Sequence, residues 1–295
     1  MKISYYPGCT LKTKAKNMDR SAVASMAALG VELTELPRWN CCGAVFSLAD
    51  DDLLHLLAPV RDLIRVMEQG QTKVAVACSM CYNTLARANL VMREDSEKRD
   101  TINSFMEEEP DYNGEVEVVH LLNILRDDIG WEKVKEKVKV PLNGLKVAPY
   151  YGCTLLRPRS VAIEPLDKLS LFSGILEALG ATVIDFPAST ECCSSYQILS
   201  NPDIGIAAVS KIIESAQKRG AEALVTSCPL CEYNLGKRQS DALKRYNKLQ
   251  ELPTFYFTQL IAVALGLGME VSEFQLNHPG AIPLLKSKNV VSINP

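Results

Sequence analysis

All ten cysteines of this 295-residue chain fall into two copies of one pattern. The first copy is Cys9, the adjacent pair Cys41 and Cys42, and the C-x-x-C of Cys78 and Cys81. The second is Cys153, the pair Cys192 and Cys193, and the C-x-x-C of Cys228 and Cys231. Single and pair are separated by 31 residues in the first copy and 38 in the second, pair and C-x-x-C by 35 and 34. The chemistry open to such sets is disulfide formation, metal binding or redox catalysis. Zinc takes four ligands, commonly from two C-x-x-C knuckles; each copy here offers five thiols and one knuckle, and adjacent cysteines rarely reach one tetrahedral ion. A thioredoxin-like C-x-x-C would leave three thiols per copy without a role. Iron–sulfur clusters, held by thiolates from several points of a fold, fit better. Five thiols are one more than an ordinary cubane uses.

Composition narrows the setting. With 47% hydrophobic and 23% charged residues, the chain has the balance of a soluble globular protein that needs no disulfide scaffold. A formal net charge of −3 argues against nucleic acid as a partner. The opening MKISYYPGCTLKTKAKN has no apolar core of a signal peptide. No apolar run approaches the ~20 residues needed to span a bilayer, and the stretch from Thr258 to Met269 reads as a short buried helix. The expected location is cytoplasmic, where thiols stay reduced.

The elements that must carry these cysteines are also duplicated. Ile3-Ser4-Tyr5-Tyr6-Pro7-Gly8-Cys9-Thr10-Leu11 matches the stretch from Val147 to Leu155, and Ala28-Leu29-Gly30 with Pro37 matches Ala178-Leu179-Gly180 with Pro187. The approach to Cys78 likewise matches the approach to Cys228. In the first half, strands are predicted over Lys2 to Tyr6, Val31 to Leu36 and Lys73 to Ala77. Helices are predicted over Lys16 to Leu29, over Asp51 to Gln69 and from about Met80. The second half repeats the scheme, with Asn201-Pro202-Asp203 opening a helix towards Arg219. A strand-then-helix unit closes each half, at Val116 to Leu125 and Pro253 to Leu265. Such alternation implies parallel βαβ units, and their strand ends bring distant cysteines to one side of a sheet. The charged connector, Arg93 to Asp111 and Trp131 to Lys139, reads as a solvated helical surface.

These spacings resemble the CCG cysteine-rich domain, and two copies in tandem resemble the B component of heterodisulfide reductase over nearly the whole chain, the Phe257 to Leu260 segment included. The opening and the PRWNCCG stretch look like bacterial members rather than methanogen ones. The resemblance implies an α/β fold of two homologous modules, residues 1–140 with the connector and 141–295. Each would be a small parallel sheet with flanking helices, the two related by pseudo-two-fold symmetry. It further implies two noncubane 4Fe-4S clusters facing each other. Cys9, Cys41, Cys42, Cys78 and Cys81 would hold one, and Cys153, Cys192, Cys193, Cys228 and Cys231 the other. In that family the disulfide of coenzyme M and coenzyme B is reduced between the clusters. One position departs: Gly43 follows the first pair, but Ser194 follows the second, adding a side chain that could crowd the site or donate a hydrogen bond to sulfur.

Two functional readings follow. In one, the chain is the catalytic subunit that reduces a small disulfide by one-electron steps, working with a two-cubane iron–sulfur subunit and a flavin-containing subunit. In the other, it is a non-catalytic relay or docking subunit of another flavin-dependent complex, such as one oxidising lactate- or glycolate-like acids. Arg157 and Arg159, in the segment by which the second half exceeds the first, suit an anionic substrate or a solvated loop; Lys12, after Cys9, has the same two roles open. His55, His120 and His278 stand alone, and His55 and His120 are expected to pack rather than ligate. Gly266-Leu267-Gly268 lacks the spacing of a dinucleotide site, so a flavin or nicotinamide would belong to a partner.

Overall fold

The structure, a computed structural model, describes residues 1–44 and 53–290. Two four-stranded, wholly parallel sheets carry it. The first contains β1 (Lys2–Tyr6), β2 (Glu32–Glu35), β3 (Lys73–Val76) and β4 (Glu117–His120) in the order β2-β1-β3-β4. The second contains β5 (Lys146–Pro149), β6 (Thr182–Val183), β7 (Ala223–Thr226) and β8 (Thr254–Tyr256) in the order β6-β5-β7-β8. The central strands are buried along nearly their whole length, as a parallel sheet covered on both faces requires. Register is equivalent in the two: Val76 lies opposite His120, and Thr226 opposite Tyr256.

The helices of the first half are α1 (Cys9–Thr13), α2 (Lys16–Ala28), α3 (Leu54–Glu68), α4 (Ser79–Glu94) and α5 (Ser96–Phe105). The start predicted for α3 at Asp51 lies outside the described residues. After β4 come α6 (Leu121–Asn123), a π-helical turn at Ile124–Ile129 and α7 (Trp131–Lys137). The second half holds α8 (Leu171–Ala178), α9 (Pro202–Gln217), α10 (Pro229–Glu232), a second π turn at Tyr233–Lys237, α11 (Gln239–Arg245) and α12 (Phe257–Ala264). Every residue of α12 is buried, its apolar side chains in the core and its two polar ones, Thr258 and Gln259, in hydrogen bonds. The connector is less solvated than its charges suggest. Val134 is fully buried, and α8 crosses Trp131 so closely that a Cβ on Gly174 would stand 2.6 Å from the indole nitrogen.

The two halves are joined by buried polar contacts between α2 and α12 and their surroundings. Asn17 Nδ2 and Gln259 Nε2 each donate to Asn277 Oδ1 at 2.8 Å, while Asn277 Nδ2 donates to the Thr254 carbonyl at 3.1 Å. Ser21 Oγ donates to Thr258 Oγ1 at 2.8 Å beside them. Removing one member leaves the others buried and unpaired, which costs about 1–3 kcal/mol for each orphaned group. Asn277→Ala is therefore expected to destabilise the protein by about 2–4 kcal/mol, read as a drop in the midpoint of urea unfolding; an unchanged midpoint would show that the network does not hold the halves together.

Candidate metal centres

β1 runs into Pro7 and Gly8, and Cys9 opens α1. Gly8 has φ +74°, and a Cβ there would lie 2.8 Å from Cys81 Sγ, so only glycine lets the strand end pass so close to the sulfur. The pair arrives on a longer loop after β2 than a strand end would give. Tyr6, at the end of β1, ties that loop down by donating from its hydroxyl to the Asn40 carbonyl at 2.7 Å. From the other side, Asn40 N–H donates to Asp62 Oδ1 on α3 at 2.7 Å. Cys78 follows β3 at the N-cap of α4, and Cys81 lies in that helix's first turn. The result brings Cys41 Sγ to 3.4 Å from Cys9 Sγ and Cys42 Sγ to 3.5 Å from Cys81 Sγ.

The second half builds the same arrangement from different residues. Tyr150 donates to the Glu191 carbonyl at 2.6 Å, as Tyr6 does to Asn40. Cys153 and Cys192 sulfurs lie 3.8 Å apart, Cys193 and Cys231 sulfurs 3.4 Å apart. Asn234 Nδ2 holds the Cys193 carbonyl at 2.9 Å. Ser194 keeps the left-handed backbone of its counterpart, with φ +59° against +69° at Gly43. That conformation costs a non-glycine residue roughly 1–2 kcal/mol. It aims the Ser194 N–H at Cys192 Sγ, 3.3 Å away, so the expected sulfur contact comes from the backbone rather than from the added hydroxyl.

All ten thiols are free. Cys9, Cys41 and Cys192 are exposed and Cys153 is half-buried, while the other six are buried. The two sets meet at the junction of the halves, where Ser79 N–H donates to the Ser227 carbonyl at 3.1 Å and the Cys78 thiol meets the Cys228 thiol. Among the described residues, no group of three or more His, Cys, Asp or Glu side chains is gathered to hold a single metal ion.

Sulfur contacts divide the thiols into donors and acceptors. Hydrogen bonds from Cys41 and then Cys81 push Cys42 down to about 3, and the bond from Cys153 pulls Cys192 down to about 6. Their partners Cys41 and Cys153 are raised, chiefly because each donates to the neighbouring sulfur. Cys228 is lowered by bonds from Cys231 and Cys78. Thiolate, the form that binds metal, is thus favoured at Cys42, Cys192 and Cys228.

Two buried acids beside these sulfurs are not distinguished by the sequence. Burial raises Asp62 to about 8 and Glu232, next to Cys231, to about 7. Glu232 Oε2 accepts from Tyr256 at 3.4 Å. The one signal in the sequence is the place of Asp62 on the apolar face of α3, flanked by the buried Val60, Leu63 and Ile64. Of the histidines, His120 is fully buried at the end of β4: its Nε2–H donates to the Ala77 carbonyl at 2.8 Å, its Nδ1 accepts from Leu122 N–H, and burial lowers it to about 4. His278 Nδ1 accepts from Gly280 N–H at 3.0 Å. His120 packs as expected. Lys12 pairs its ammonium with Asp19 at 2.9 Å and Glu35 at 2.6 Å. Arg157 donates to the Thr190 carbonyl at 2.9 Å, favours the Cys192 thiolate, and with Arg159 lines a cavity of about 510 Å³.

A family model for the cysteine-rich CCG domain matches the chain twice, at residues 3–86 and 147–236. The chain is 36% identical over 277 residues to the 8-methylmenaquinol:fumarate reductase membrane anchor subunit of Wolinella succinogenes, covering 93% of this chain and 95% of that one. It is 26% identical to the B component of the ferredoxin:CoB-CoM heterodisulfide reductase of Methanosarcina mazei, covering 93% and 94%. A hypothetical protein from Helicobacter pylori shares the fold with a TM-score of 0.75 at 15% identity, over 94% of this chain and 51% of that one. No helix among the described residues is long and apolar enough to cross a membrane.

The buried ionisable groups give opposite pH dependences. His120, lowered to about 4, contributes stability that is complete above its ordinary 6.5 and lost as pH falls through 4. Asp62, raised to about 8, contributes stability that is complete below its ordinary 3.8 and lost as pH rises through 8. Between pH 6.5 and 8 Asp62 alone of the two changes stability, by up to about 1.4 kcal/mol per pH unit. Asp62→Asn, which keeps an acceptor for Asn40, should flatten the fall in melting temperature over that range; an unaltered slope would place the titration elsewhere.

Proposed function

The chain belongs to the CCG cysteine-rich domain family and is similar to the B component of heterodisulfide reductase, and from these we propose that it is an iron–sulfur subunit of a multi-subunit reductase complex. The observation that carries this reading is the convergence of all ten thiols, with sulfur–sulfur contacts of 3.4–3.8 Å, at the carboxyl ends of two parallel sheets. The donor set suits the group: ten unbridged thiols, with a backbone N–H already directed at one sulfur. In this reading Cys9, Cys41, Cys42, Cys78 and Cys81 hold one noncubane 4Fe-4S cluster, and Cys153, Cys192, Cys193, Cys228 and Cys231 a second. Such clusters supply one-electron storage and transfer. The chain itself supplies dry walls around the inner six sulfurs, close approach at Gly8, and an outer edge at Cys9, Cys41 and Cys192 that another molecule can reach.

The finer reading is reduction of a small disulfide at that edge. Two electrons and two protons convert one disulfide into two thiols, and two one-electron sites side by side deliver the electrons in turn. Arg157 and Arg159 would meet an anionic group of the substrate. A two-cubane subunit and a flavin subunit would feed the electrons. A second reading is favoured by the Wolinella relative, whose name is that of a fumarate reductase anchor subunit: here the chain docks a flavin-dependent reductase and relays electrons without turning over a disulfide.

Protein purified without oxygen is expected to carry about four irons per half. Cys193→Ala should abolish the second cluster and, under the disulfide reading, turnover with it. Iron retained in full by this variant, or zinc in its place, would overturn the cluster assignment. A paramagnetic signal that changes when thiols are added supports disulfide chemistry; cluster reduction indifferent to thiols supports the relay.

A further inference from the structure

The residues that fix each set of cysteines come partly from the other half. Asn83, buried on α4 two residues after Cys81, donates from Nδ2 to the carbonyls of Thr154 and Arg157, both at 2.8 Å. Thr154 directly follows Cys153, so a first-half side chain pins the loop that presents a second-half sulfur. Tyr82, beside Asn83, donates to the Val161 carbonyl further along the same segment at 3.1 Å. A tie runs the other way from Tyr196, three residues after Cys193. Its hydroxyl donates to the Ala44 carbonyl at 2.9 Å and lies 3.0 Å from the Met80 sulfur. Ala44 stands two residues after Cys42, and Met80 sits between Cys78 and Cys81. Ser79 N–H adds a third tie, donating to the carbonyl of Ser227, the residue before Cys228. Segments that carry cysteines on one side therefore take their positions from the other side, and the dependence runs in both directions.

We propose that the two cysteine sets fill as a coupled pair, with Asn83 and Tyr196 as the positioning residues through which each loaded site favours the loading of the other. The proposal rests on the reading that the cysteines hold iron–sulfur clusters. Thiolates must be drawn to fixed positions around a cluster, and the chain loses conformational freedom as they are. Loading the first site fixes the turn from Cys78 to Cys81, which sets Asn83 and Ser79 against the segments of Cys153 and Cys228. Loading the second site fixes the segment after Cys193, which sets Tyr196 against Ala44 and Met80. Whichever site fills first has already ordered part of the other, and the second filling forfeits less freedom. Such coupling is reciprocal, so neither site takes precedence.

The test is stepwise anaerobic reconstitution of the chain with iron and sulfide, followed by native mass spectrometry, which counts empty, half-loaded and fully loaded molecules. Independent, equal sites leave about half of the molecules half-loaded at half filling, and coupling of about 25-fold cuts this to about one sixth. Wild-type protein should show such a deficit of half-loaded molecules. Tyr196→Phe, which removes only a hydroxyl, should raise the half-loaded fraction towards the independent value while the protein still reaches full loading at excess iron. Asn83→Ala should do the same, and where it fails to fold Tyr196→Phe carries the test. A variant that is merely less stable takes up less iron but keeps the deficit. Wild-type protein without the deficit overturns the proposal and leaves the cluster reading standing, as does a deficit that survives both substitutions. Wild-type protein that takes up no iron overturns the cluster reading and this inference together.

Discussion

The constraint on which the rest depends is that parallel strands finish on the same side of a sheet. Three segments of each half, separated by thirty or more residues, deliver thiols to one place because β1, β2 and β3, or β5, β6 and β7, share a direction. An antiparallel arrangement would send alternate cysteines to opposite ends. Direction alone does not set the distances, however. The loop after β2 is too long to be positioned by its strand, and it is held by Tyr6 on one flank and Asp62 on the other. The second half preserves the tyrosine tie, through Tyr150, on a loop of different sequence. Preserving this contact while the rest of the loop differs suits its task of fixing where the sulfur pair stands.

Much of this is legible in the residues. Cysteine spacing and the repeated Tyr-x-Gly-Cys segments disclose the duplication, and the alternation of apolar runs discloses the parallel sheets. The strand limits fall within a residue or two of those observed, since buried parallel strands read as plain β-branched runs. What cannot be read is what depends on contact between distant segments. The raised pKa of Asp62 arises from its burial, and the local sequence offers only its place on the apolar face of α3, which does not by itself tell a buried acid from an exposed one. Trp131 lies in a stretch so rich in Glu and Lys that solvation is the natural inference, but charge alternation says nothing about a glycine-lined groove on α8. Lys12 reads as a plausible anion contact, yet Asp19 and Glu35 hold it.

Position 194 shows how a motif residue can change while its physical task survives. A glycine after paired cysteines signals a backbone in the left-handed region, and Ser194 adopts that region at a modest cost. The chain therefore keeps the geometry of the motif without its residue, and the amide still points at sulfur. Inequality between the halves lies less in this loop than in the groups behind the sulfurs, where Tyr82 follows one C-x-x-C and the acid Glu232 follows the other.

The seam between Ser79 and Ser227 also bears on how such a protein could have arisen. Ala77 holds the place of Ser227 in the first half and Pro229 the place of Ser79 in the second. A self-paired dimer of first halves would therefore keep the N–H donor on both sides of the seam, and a dimer of second halves would have none, because proline carries no N–H. The fused chain keeps one such bond, so the seam is a fixed left–right distinction that no symmetric pair could possess.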